Sequence, residues 1–484
     1  MLGGVYKVKK FDIVIIGSGV GLTILDTALQ NGMKCAIVEN SKFGGTCLTK
    51  GCIPSKILVH PADIIREVQH ASKVGIDFKP AEINWKTITK RMWSKIDESI
   101  NIEKSVSNVK NLTVFKGTGE FTSPYTMKVK DKGGVYSEEF KAEKFVIAAG
   151  GRSFIPPIAG LVETGFVDYE NFFGDAFPEK PWKSLVIVGG GAIGTEFAHA
   201  FSAFGTKVTI VEMQKHILTT EEEEISIHLE KQFEDNSVDV LTNYKVVSAR
   251  KSGENKIITI QDVITGETKE IECEEIFISS GISSNADILK VEKTGVEMDS
   301  RGWIKTNEYL ETSQKNIWAL GDINGKFQFR HKANYEAEIC VNNIFHSVHG
   351  KRKADYSRVP WAIFTCPQIA HVGITEKEAL KKGGRIMVGK KHYSSVAKGF
   401  AMGYSEDDID DGFVKLITDE NRIILGVHIV GPYAAILIQP FIYLMNVGLE
   451  GGTIDPMYGS ITIHPSLSEL TDWVIGNLEL KGGI

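Results

Sequence analysis

Two cysteines in the segment GGTCLTKGCIPSK, residues 44 to 56, have the types and spacing of a redox centre. In an ideal helix, residues five positions apart have Cα atoms roughly 8.6 Å apart, whereas a disulfide tolerates at most about 7 Å. A bond between Cys47 and Cys52 therefore requires a distorted turn, which Gly51 could relax at little steric cost. Strained disulfides are the more easily reduced ones. The spacing of the two cysteines therefore favours a disulfide that opens during function.

Two other interpretations of this pair are unlinked buried thiols and half of a zinc site. A structural zinc site needs four ligands, and the sequence contains no second paired-cysteine or Cys/His motif at zinc-finger spacing. We therefore expect no metal site. The other cysteines are isolated, and we expect them to be small core residues: Cys35, Cys273, Cys340 and Cys366.

The composition limits the class of protein. A chain of 484 residues suggests about three domains of roughly 150 residues each. The net charge of -6 argues against a general nucleic-acid surface, and six cysteines in so long a chain do not make a secreted disulfide framework. The acidic run Glu221 to Glu224 is interpreted as a solvated helix start.

Neither membrane insertion nor secretion is indicated by the sequence. No uninterrupted apolar run approaches the roughly 20 residues that span a bilayer. The start, MLGGVYKVKK, leads directly into a strand pattern without a separate apolar signal segment. We expect a cytoplasmic protein that binds neither membrane nor nucleic acid.

The segment that precedes the cysteine pair has the pattern of a strand, a glycine-rich turn and a helix. These elements must position the pair. Residues 11 to 21 read FDIVIIGSGVG, with Gly17, Gly19 and Gly21 at the turn, and Glu39 ends the next strand. Turn glycines let backbone N–H groups approach a pyrophosphate, and the following helix N-terminus adds a favourable dipole. An acid about 20 residues further on accepts a ribose hydroxyl. The segment therefore predicts a dinucleotide site.

The same unit occurs a second time. Residues 184 to 194 read SLVIVGGGAIG, with Gly189, Gly191 and Gly194 in G-x-G-x-x-G register, and Glu212 ends the strand VTIVE. One such motif is weak support, whereas two copies in the same context, each with a carboxylate in place, indicate two nucleotide sites.

Two details qualify these sites. Leu22 stands where the third glycine of the first copy normally permits close helix-to-strand packing. Either Gly21 takes part of that role, or the helix lies slightly further out. At the second copy, Glu212 would repel a 2′-phosphate and so favours NAD over NADP, although Lys215 and His216 nearby weaken that preference.

Over essentially its whole length the sequence resembles the class I pyridine nucleotide–disulfide oxidoreductases. This flavoprotein family includes dihydrolipoamide dehydrogenase, glutathione reductase, mycothione reductase and mercuric reductase. Besides the redox pair and both glycine motifs, the resemblance rests on VIAAGGR at 146 to 152, NIWALGDI at 316 to 323 and IHPSLSE at 463 to 469. It implies an α/β fold with two Rossmann-like FAD/NAD(P)-binding domains, one inserted in the other, plus a C-terminal α+β dimerisation domain.

The resemblance also implies domain bounds. An FAD-binding domain with the redox disulfide is expected at 1–150, an NAD-binding domain at 151–279, a central segment completing the FAD domain at 280–353, and a dimerisation domain at 354–484. A homodimer is expected, because in this family the histidine that matches His464 acts across the subunit boundary.

A catalytic role is implied for each residue of the redox centre. His464, oriented by Glu469, would take a proton from a dithiol substrate, because only the thiolate is an effective nucleophile. That thiolate would attack Cys47, and Cys52 would leave as a thiolate beside the flavin. Reduced FAD would then transfer hydride to NAD+.

The cofactor-binding residues follow from the same resemblance. Lys56 would lie near the flavin, paired with Glu196, and Asp322 would bind the ribityl chain of FAD. The residues expected at FAD are Gly17, Gly19, Gly21, Glu39, Gly45, Thr46, Lys56, Gly119, Ala149, Gly150 and Asp322. Those expected at NAD are Gly189, Gly191, Ile193, Gly194, Glu196, Glu212 and Gly281.

Three functions remain in view. The leading one is an NAD-linked dihydrolipoamide dehydrogenase, whose partner would be a lipoylated carrier domain of a 2-oxoacid dehydrogenase complex or a glycine cleavage system. The second is an NAD(P)H-dependent reductase of a low-molecular-weight disulfide, similar to mycothione or glutathione reductase. The third is a non-enzymatic redox-sensing flavoprotein, against which the pair His464 and Glu469 argues, because a sensor needs no positioned base.

Different segments favour the first two functions. CIPSK and HPSLSE resemble dihydrolipoamide dehydrogenase more than glutathione reductase. GSGVGLTIL, EFAHAFSAFG, SNADIL, VPWAIFTCPQIA and LIQP resemble the mycothione reductase branch, and Ile282 stands where dihydrolipoamide dehydrogenases usually carry arginine. The redox pair is common to the family and does not choose among these substrates.

Overall fold

The structure is a computed structural model of the chain. It describes residues 8–79, 82–346, 350–406, 408–447 and 452–482. Most of the start on which the expectation of no signal segment rests, residues 1–7, lies outside these ranges. Within them, no helix has the length and apolar character needed to cross a membrane.

Strands and helices alternate through most of the described chain. The strands are β1 (Lys9–Ile16), β2 (Cys35–Glu39), β3 (Leu112–Lys116), β4 (Thr118–Ser123), β5 (Thr126–Lys130), β6 (Phe140–Ile147), β7 (Gly151–Ser153), β8 (Val167–Asp168), β9 (Ser184–Val188), β10 (Lys207–Val211), β11 (Asp239–Leu241), β12 (Tyr244–Ser252), β13 (Asn255–Asp262), β14 (Thr268–Cys273), β15 (Glu275–Ile278), β16 (Ile282–Ser284), β17 (Ile317–Ala319), β18 (Trp361–Ile363), β19 (Ile369–Gly373), β20 (Ile386–His392), β21 (Phe413–Asp419), β22 (Ile424–Val430) and β23 (Glu479–Lys481). The helices are α1 (Gly21–Gln30), α2 (Gly45–Thr49), α3 (Cys52–His70), α4 (Trp85–Ile96), α5 (Glu98–Ser107), α6 (Leu161–Thr164), α7 (Tyr169–Phe172), α8 (Ala192–Ala203), α9 (Glu223–Asp235), α10 (Arg330–Phe345), α11 (Glu376–Lys381), α12 (Ala397–Ala401), α13 (Ala434–Leu437), α14 (Gln439–Met445), α15 (Asp455–Tyr458) and α16 (Glu469–Trp473).

The first sheet is built around β1, whose apolar run is buried from Ile13 to Ile16. Such an uninterrupted apolar run is typical of parallel strands covered on both faces. The strand order is β3-β2-β1-β6-β5-β4, and β17 pairs with β6. Strands β3, β2, β1, β6 and β17 run parallel, whereas β4 and β5 form an antiparallel hairpin at one side.

A second parallel sheet, in the order β11-β10-β9-β15-β8, lies between β6 and β17 in the chain. A separate antiparallel meander, β12-β13-β14, is part of the same stretch. The chain thus leaves the first sheet after β6, completes the second, and returns to pair β17 with β6. One Rossmann-like unit is inserted in the other, as predicted.

The C-terminal part forms a six-stranded antiparallel sheet in the order β18-β19-β22-β21-β20-β23. The segments FVKLIT and IILGVHIV form the antiparallel hairpin of β21 and β22. Side chains of α13, α14 and α16 pack on buried residues of this sheet. The unit is therefore α+β, and the predicted fold class is confirmed.

The acidic run before α9 differs from the expectation. Glu221 and Glu222 are only 6% and 7% exposed, so they are not a solvated helix start. Their partners come from the C-terminal sheet: Glu221 accepts from the indole N–H of Trp361 and Glu222 accepts from the ammonium of Lys415. Sequence patterns missed this because the partners lie more than 130 residues away.

Helix α3 of the first unit packs against helix α8 of the second. His199 lies 2.8 Å from the carboxylate of Asp63, and Arg66 donates to the hydroxyl of Ser202 at 2.8 Å. Helix α3 begins at Cys52, so this packing holds the helix that carries the second cysteine against the second nucleotide-binding unit.

Candidate active site

The two cysteines lie on either side of a helix break. Cys47 is in α2 and Cys52 is the first residue of α3. Gly51 between the helices has φ -138° and ψ -119°, outside the helical region, so the chain has the interruption that a bond between the cysteines requires. Both side chains are free thiols in this structure. The residues are thus arranged as the reduced form of a dithiol–disulfide pair would be.

The two thiols titrate as a pair. Contact with the Cys52 thiol lowers the pKa of Cys47 to about 7, and the positive charges of Arg330 and Lys56 also lower it, against the effect of burial. Contact with Cys47 raises the pKa of Cys52, and burial raises it further. One proton of the pair is therefore lost near neutral pH. A thiolate, the nucleophilic form of cysteine, is available there.

Lys56 extends from α3 toward the second unit. Its ammonium donates a hydrogen bond to the Glu196 carboxylate on α8, and it lies 4.7 Å from the ring centroid of Phe364. The other carboxylate oxygen of Glu196 accepts from the backbone N–H of Phe364 at 3.0 Å. Glu196 thus holds the ammonium one helical turn beyond Cys52.

The first glycine turn is tightly packed. Gly17 has φ +97°, and a Cβ there would lie 2.3 Å from the carbonyl oxygen of Ala148. A Cβ on Gly21 would lie 2.7 Å from a methyl group of Ile15. Gly21 therefore makes the close helix-to-strand contact that the motif normally assigns to the position held by Leu22, which is partly buried against the neighbouring core.

Two backbone segments meet above this turn. A Cβ on Gly45 would lie 2.5 Å from the Cα of Gly19, so glycine is required for the approach. Glu39 accepts from the N–H and hydroxyl of Ser18 at 2.9 and 2.7 Å, and from the N–H of Ser41 at 2.7 Å. The resulting narrow cradle of N–H groups ends in a carboxylate, which fits the adenosine and pyrophosphate parts of a dinucleotide.

Asp322 follows β17 on the return to the first unit. Burial raises its pKa to about 6, against the lowering effect of the Lys332 ammonium. Within the described ranges, no side chain or N–H group donates a hydrogen bond to its carboxylate. Such an unpaired carboxylate fits a ligand rich in hydroxyl groups, such as the ribityl chain of FAD.

A buried ion pair supports the turn that carries Asp322. Glu336 is fully buried and accepts from the N–H of Gly321 at 2.7 Å and from Asn324 at 2.7 Å. Lys332 donates to the same carboxylate at 3.1 Å. No sequence motif pointed to these residues, although the Lys-x-x-x-Glu spacing on one helix was a possible signal.

The second glycine turn has the same construction. Gly189 has φ +106°, and a Cβ there would lie 2.7 Å from the carbonyl oxygen of Ser279. A Cβ on Gly194 would lie 2.2 Å from the carbonyl oxygen of Gly189. Glu212 accepts from the N–H of Gly190 at 2.7 Å. Gly194 provides here the close contact that Gly21 provides in the first turn.

The other residues expected at the cofactors belong to the same two nucleotide-binding units. Ala149 and Gly150 follow β6, and Asn285 donates to the carbonyl oxygen of Ala149 at 2.9 Å. Gly281 has φ +117° and lies just beyond β15. The remaining positions are Thr46 in α2, Gly119 in β4, Gly191 before α8 and Ile193 within it.

His464 and Glu469 form the second candidate pair. The Nδ1 atom of His464 lies 2.7 Å from a carboxylate oxygen of Glu469, whose other oxygen accepts from the N–H of Ser466 at 3.1 Å. The hydrogen bond with His464 lowers the pKa of Glu469. The Glu469 side chain is 3% exposed and that of His464 is 66% exposed, so a buried carboxylate orients an imidazole that projects outward.

No hydrogen bond or ion pair within the described chain joins His464 to either cysteine. The surrounding surface is apolar: Ile461 is 100% exposed and Ile463 76% exposed. Tyr458 and Tyr443 on the same C-terminal unit are 61% and 66% exposed. Large exposed apolar side chains of this kind are typical of an interaction surface.

Arg330 was missed by the sequence interpretation. It begins α10, and its charge is one cause of the low pKa of Cys47. Its guanidinium would lie 3.8 Å from a Cβ placed on Gly19. The residue thus lies between the first glycine turn and the thiol pair. No motif in the sequence identified it, because its position depends on the return of the chain after the inserted unit.

Comparisons with known proteins agree with this arrangement. Residues 11–337 match the family described as pyridine nucleotide-disulphide oxidoreductase, and residues 359–475 match the dimerisation domain of that family. The chain belongs to the pyridine nucleotide-disulphide oxidoreductases. Its members bind FAD, use NAD(P)H and carry a redox-active disulfide, and the dimerisation domain implies a homodimer.

Named relatives include enzymes with different substrates. A mycothione reductase of Mycobacterium tuberculosis (strain ATCC 25618 / H37Rv) is 35% identical over 96% of this chain and 98% of that protein. A dihydrolipoyl dehydrogenase of Bacillus subtilis (strain 168) is 31% identical over 95% of this chain and 96% of that protein. The structure of the HOCl-induced flavoprotein disulfide reductase RclA from Escherichia coli matches with a TM-score of 0.80 and 27% identity, covering 96% and 99% of the two chains. The chain is thus a flavin-dependent disulfide oxidoreductase.

Proposed function

We propose that this protein is a dihydrolipoamide dehydrogenase, which oxidises dihydrolipoyl groups at the Cys47–Cys52 disulfide and reduces NAD+. The observation that carries the proposal is the hydrogen bond between His464 and the buried Glu469. With Nδ1–H donated to the carboxylate, the Nε2 atom of the exposed imidazole has a free lone pair and can accept a proton from a thiol. A lipoylated carrier domain would deliver that thiol.

The chain's own residues account for the exchange of disulfides. Nε2 of His464 takes the proton of one substrate thiol, and the thiolate attacks the sulfur of Cys47. The Cys47–Cys52 bond breaks and Cys52 leaves as a thiolate. The sulfur of the second substrate thiol then attacks the mixed disulfide at the substrate sulfur, and its proton passes to the released Cys47. The substrate is oxidised by two electrons and the cysteine pair is reduced by two.

Three parts of the structure support the later transfer of electrons. The ammonium of Lys56, held by Glu196, favours the thiolate form of both cysteines. The cradle at Gly17 and Gly19 would hold FAD, and that at Gly189 and Gly194 would hold NAD. Bound FAD supplies the two-electron chemistry that links the thiol pair to the nicotinamide.

NAD is the proposed nucleotide because the cationic groups beside Glu212 are already paired. The ammonium of Lys215 lies 2.6 Å from the carboxylate of Glu223. His216 lies 3.1 Å from the carboxylate of Glu230. The charge of Glu212 is therefore not offset by these neighbours, and a carboxylate at this position accepts a ribose hydroxyl and repels a 2′-phosphate.

A second candidate is an NAD(P)H-dependent reductase of a low-molecular-weight disulfide. The 35% identity to mycothione reductase favours it, as does Ile282, which stands where dihydrolipoamide dehydrogenases usually carry arginine. The same residues would act in the reverse direction, with His464 returning the proton to the released thiolate.

A direct assay separates the two candidates. The purified holoprotein is mixed with dihydrolipoamide and NAD+, and, separately, with NADH or NADPH and oxidised glutathione or mycothione. We expect NADH formation in the first mixture at a rate abolished by Cys47→Ser. Background NADH formation together with rapid reduction of a small disulfide would exclude the dihydrolipoamide assignment and support the alternative.

A further inference from the structure

Three buried side chains meet where the second nucleotide-binding unit touches the C-terminal sheet. Glu221 precedes α9, His371 is in β19 and His428 is in β22. Their exposures are 6%, 2% and 0%. One potential ligand atom from each residue lies within 4.8 Å of the other two. The cluster is formed from two units of the fold, and it contains no residue of the redox or nucleotide sites.

The sheet register brings the two histidines together. His371 and His428 are directly opposite one another on neighbouring antiparallel strands, and their ring centroids are 4.2 Å apart. Trp361 is opposite His371 on the next strand. These side chains therefore lie in one row on the face of the sheet that meets the start of α9.

Hydrogen bonds with backbone carbonyls indicate which ring nitrogens of the two histidines carry the proton. Nε2 of His371 lies 3.1 Å from the carbonyl oxygen of Gly373, and Nε2 of His428 lies 3.1 Å from the carbonyl oxygen of Ile374. Since only an N–H can satisfy a carbonyl oxygen, both Nδ1 atoms of the neutral rings have free lone pairs. Histidines that bind metals characteristically donate their other ring N–H to a backbone carbonyl in this way.

The Nδ1 atoms of the two histidines lack a satisfactory partner. Nδ1 of the fully buried His428 makes no hydrogen bond within the described part of the chain. Nδ1 of His371 lies 3.1 Å from one carboxylate oxygen of Glu221, which places a lone pair against a negative oxygen. The other oxygen of Glu221 accepts from the indole N–H of Trp361 at 2.7 Å. A cation between these atoms would satisfy all three ligands.

The charged side chains nearest to the cluster leave room for a bound cation, because they carry no excess positive charge. Lys415 is opposite His428 in the sheet, but its ammonium is bound by carboxylates of Glu222, Glu224 and Glu376 at 3.0, 2.8 and 2.7 Å. Glu224 also pairs with Lys390 and Glu376 with Lys481, so three carboxylates balance three ammonium groups. The neighbourhood of the cluster is thus not one of excess positive charge.

We propose that Glu221, His371 and His428 bind one divalent transition-metal ion of the zinc type. Two imidazole nitrogens and one carboxylate oxygen are a ligand set that zinc accepts, with the remaining position filled by water. The ion would tie the loop before α9 to strands β19 and β22. The expectation of no metal site rested on short-range motifs, whereas these three residues are 150 and 57 positions apart along the chain.

The test uses the oxidised holoprotein, in which the cysteine pair is a disulfide and offers no thiolate to a metal. The protein is dialysed against EDTA, then against buffer with zinc chloride, and bound zinc is measured by plasma mass spectrometry. We expect about one zinc ion per chain. Glu221→Gln preserves the acceptor for Trp361 and the shape of the side chain, and we expect it to weaken zinc binding at least about tenfold.

Two further variants test whether zinc binds at this cluster and not elsewhere on the protein. His428→Phe removes one ligand while filling the space, and should also weaken binding at least about tenfold. His228→Phe is the matched control, because His228 is a half-buried histidine outside the cluster whose Nε2 also lacks a partner in the described chain. Zinc binding by this control should match that of the unaltered protein.

A crystal of the zinc-loaded protein should show anomalous scattering at the zinc absorption edge between the three side chains. Failure of the unaltered protein to retain zinc would overturn the proposal and leave a Glu221–His371 ion pair in its place. Zinc retention that is the same in Glu221→Gln, His428→Phe and the control would also overturn it. Flavin absorbance and thermal unfolding check that each variant is folded, and the anomalous map does not depend on the variants.

Discussion

Lys56 and Glu196 form an ion pair that joins helix α3 of the first nucleotide-binding unit to helix α8 of the second. Glu196 also accepts the backbone N–H of Phe364, from the segment after β18. One carboxylate therefore connects three parts of the chain beside the cysteine pair. The position of the ammonium depends on the packing of both units, so it should respond to changes on either helix.

Glu196→Gln should slow reduction of the flavin by NADH by about 10- to 100-fold. The amide still accepts the Phe364 N–H, but the ammonium of Lys56 loses its charged partner, and small displacements of a positioned group can cost rates of this size. Stopped-flow absorbance under anaerobic conditions measures the rate. Glu98→Gln is the control, because it breaks the exposed Lys95–Glu98 pair, which contributes little. Equal rates in both variants would contradict a positioning role for Glu196.

In the NADH-reduced protein, alkylation of Cys47 by iodoacetamide should rise with pH about a midpoint near 7, because the pKa of this thiol is lowered from 9.0 to about 7. A positive charge favours the thiolate, so its removal in Arg330→Leu should raise the pKa and move the midpoint to higher pH. Mass spectrometry of the labelled peptide gives the extent of reaction.

Arg301→Leu serves as the comparison for this experiment, since Arg301 is 73% exposed and pairs only with Asp299 among the described residues. Its alkylation profile should match that of the unaltered protein. A midpoint near 9 in the unaltered protein, or no displacement in Arg330→Leu, would show that the charge of Arg330 does not act on the thiol pair.

His464→Gln should lower turnover with the dithiol by about 10²- to 10⁴-fold, the usual contribution of a general base. Reduction of the flavin by NADH should remain unchanged, because the histidine acts on the substrate thiol. Steady-state and stopped-flow assays provide the two rates. His60→Gln alters an exposed histidine on α3 and should leave both unchanged. A similar loss in both half-reactions of His464→Gln would indicate a structural effect instead.

Asp322→Asn should stabilise the FAD-free protein above pH 6 while weakening FAD binding. Burial raises the pKa of Asp322 from 3.8 to about 6, so the folded state favours the protonated acid. Its contribution to stability is greatest below pH 3.8, and is lost as the pH rises through about 6, by up to about 3 kcal/mol. Asparagine cannot ionise and avoids that loss.

Thermal unfolding of the apoprotein at pH 5 and pH 7.5, with FAD affinity from flavin fluorescence, measures both effects. Asp26→Asn provides the exposed comparison, since Asp26 contacts Gln30 on the surface of α1. Lower stability of Asp322→Asn at pH 7.5 would contradict the raised pKa of Asp322, and unchanged FAD affinity would contradict the assignment of this carboxylate to the ribityl chain.

Most of the features that could be predicted from the sequence are encoded in short local motifs. The glycine turns at Gly17 and Gly189 depend on backbone conformation and close approach, which are properties of a few adjacent residues. The break at Gly51 and the one-turn spacing from Cys52 to Lys56 are local in the same sense. For this reason the glycine turns and the cysteine pair were recognisable from local patterns, whereas the fold class was implied by the resemblance to the family.

Contacts between residues far apart in the sequence were decided only by the tertiary structure. Arg330 reaches the thiol pair because the chain returns to the first sheet after the inserted unit. Glu221 meets His371 and His428 because α9 packs on a sheet formed 150 residues later. Interactions across such distances depend on packing between units, which one-dimensional spacing does not encode. The sequence therefore determined the chemistry of the cysteine pair, whereas three-dimensional packing decided which charges act on it.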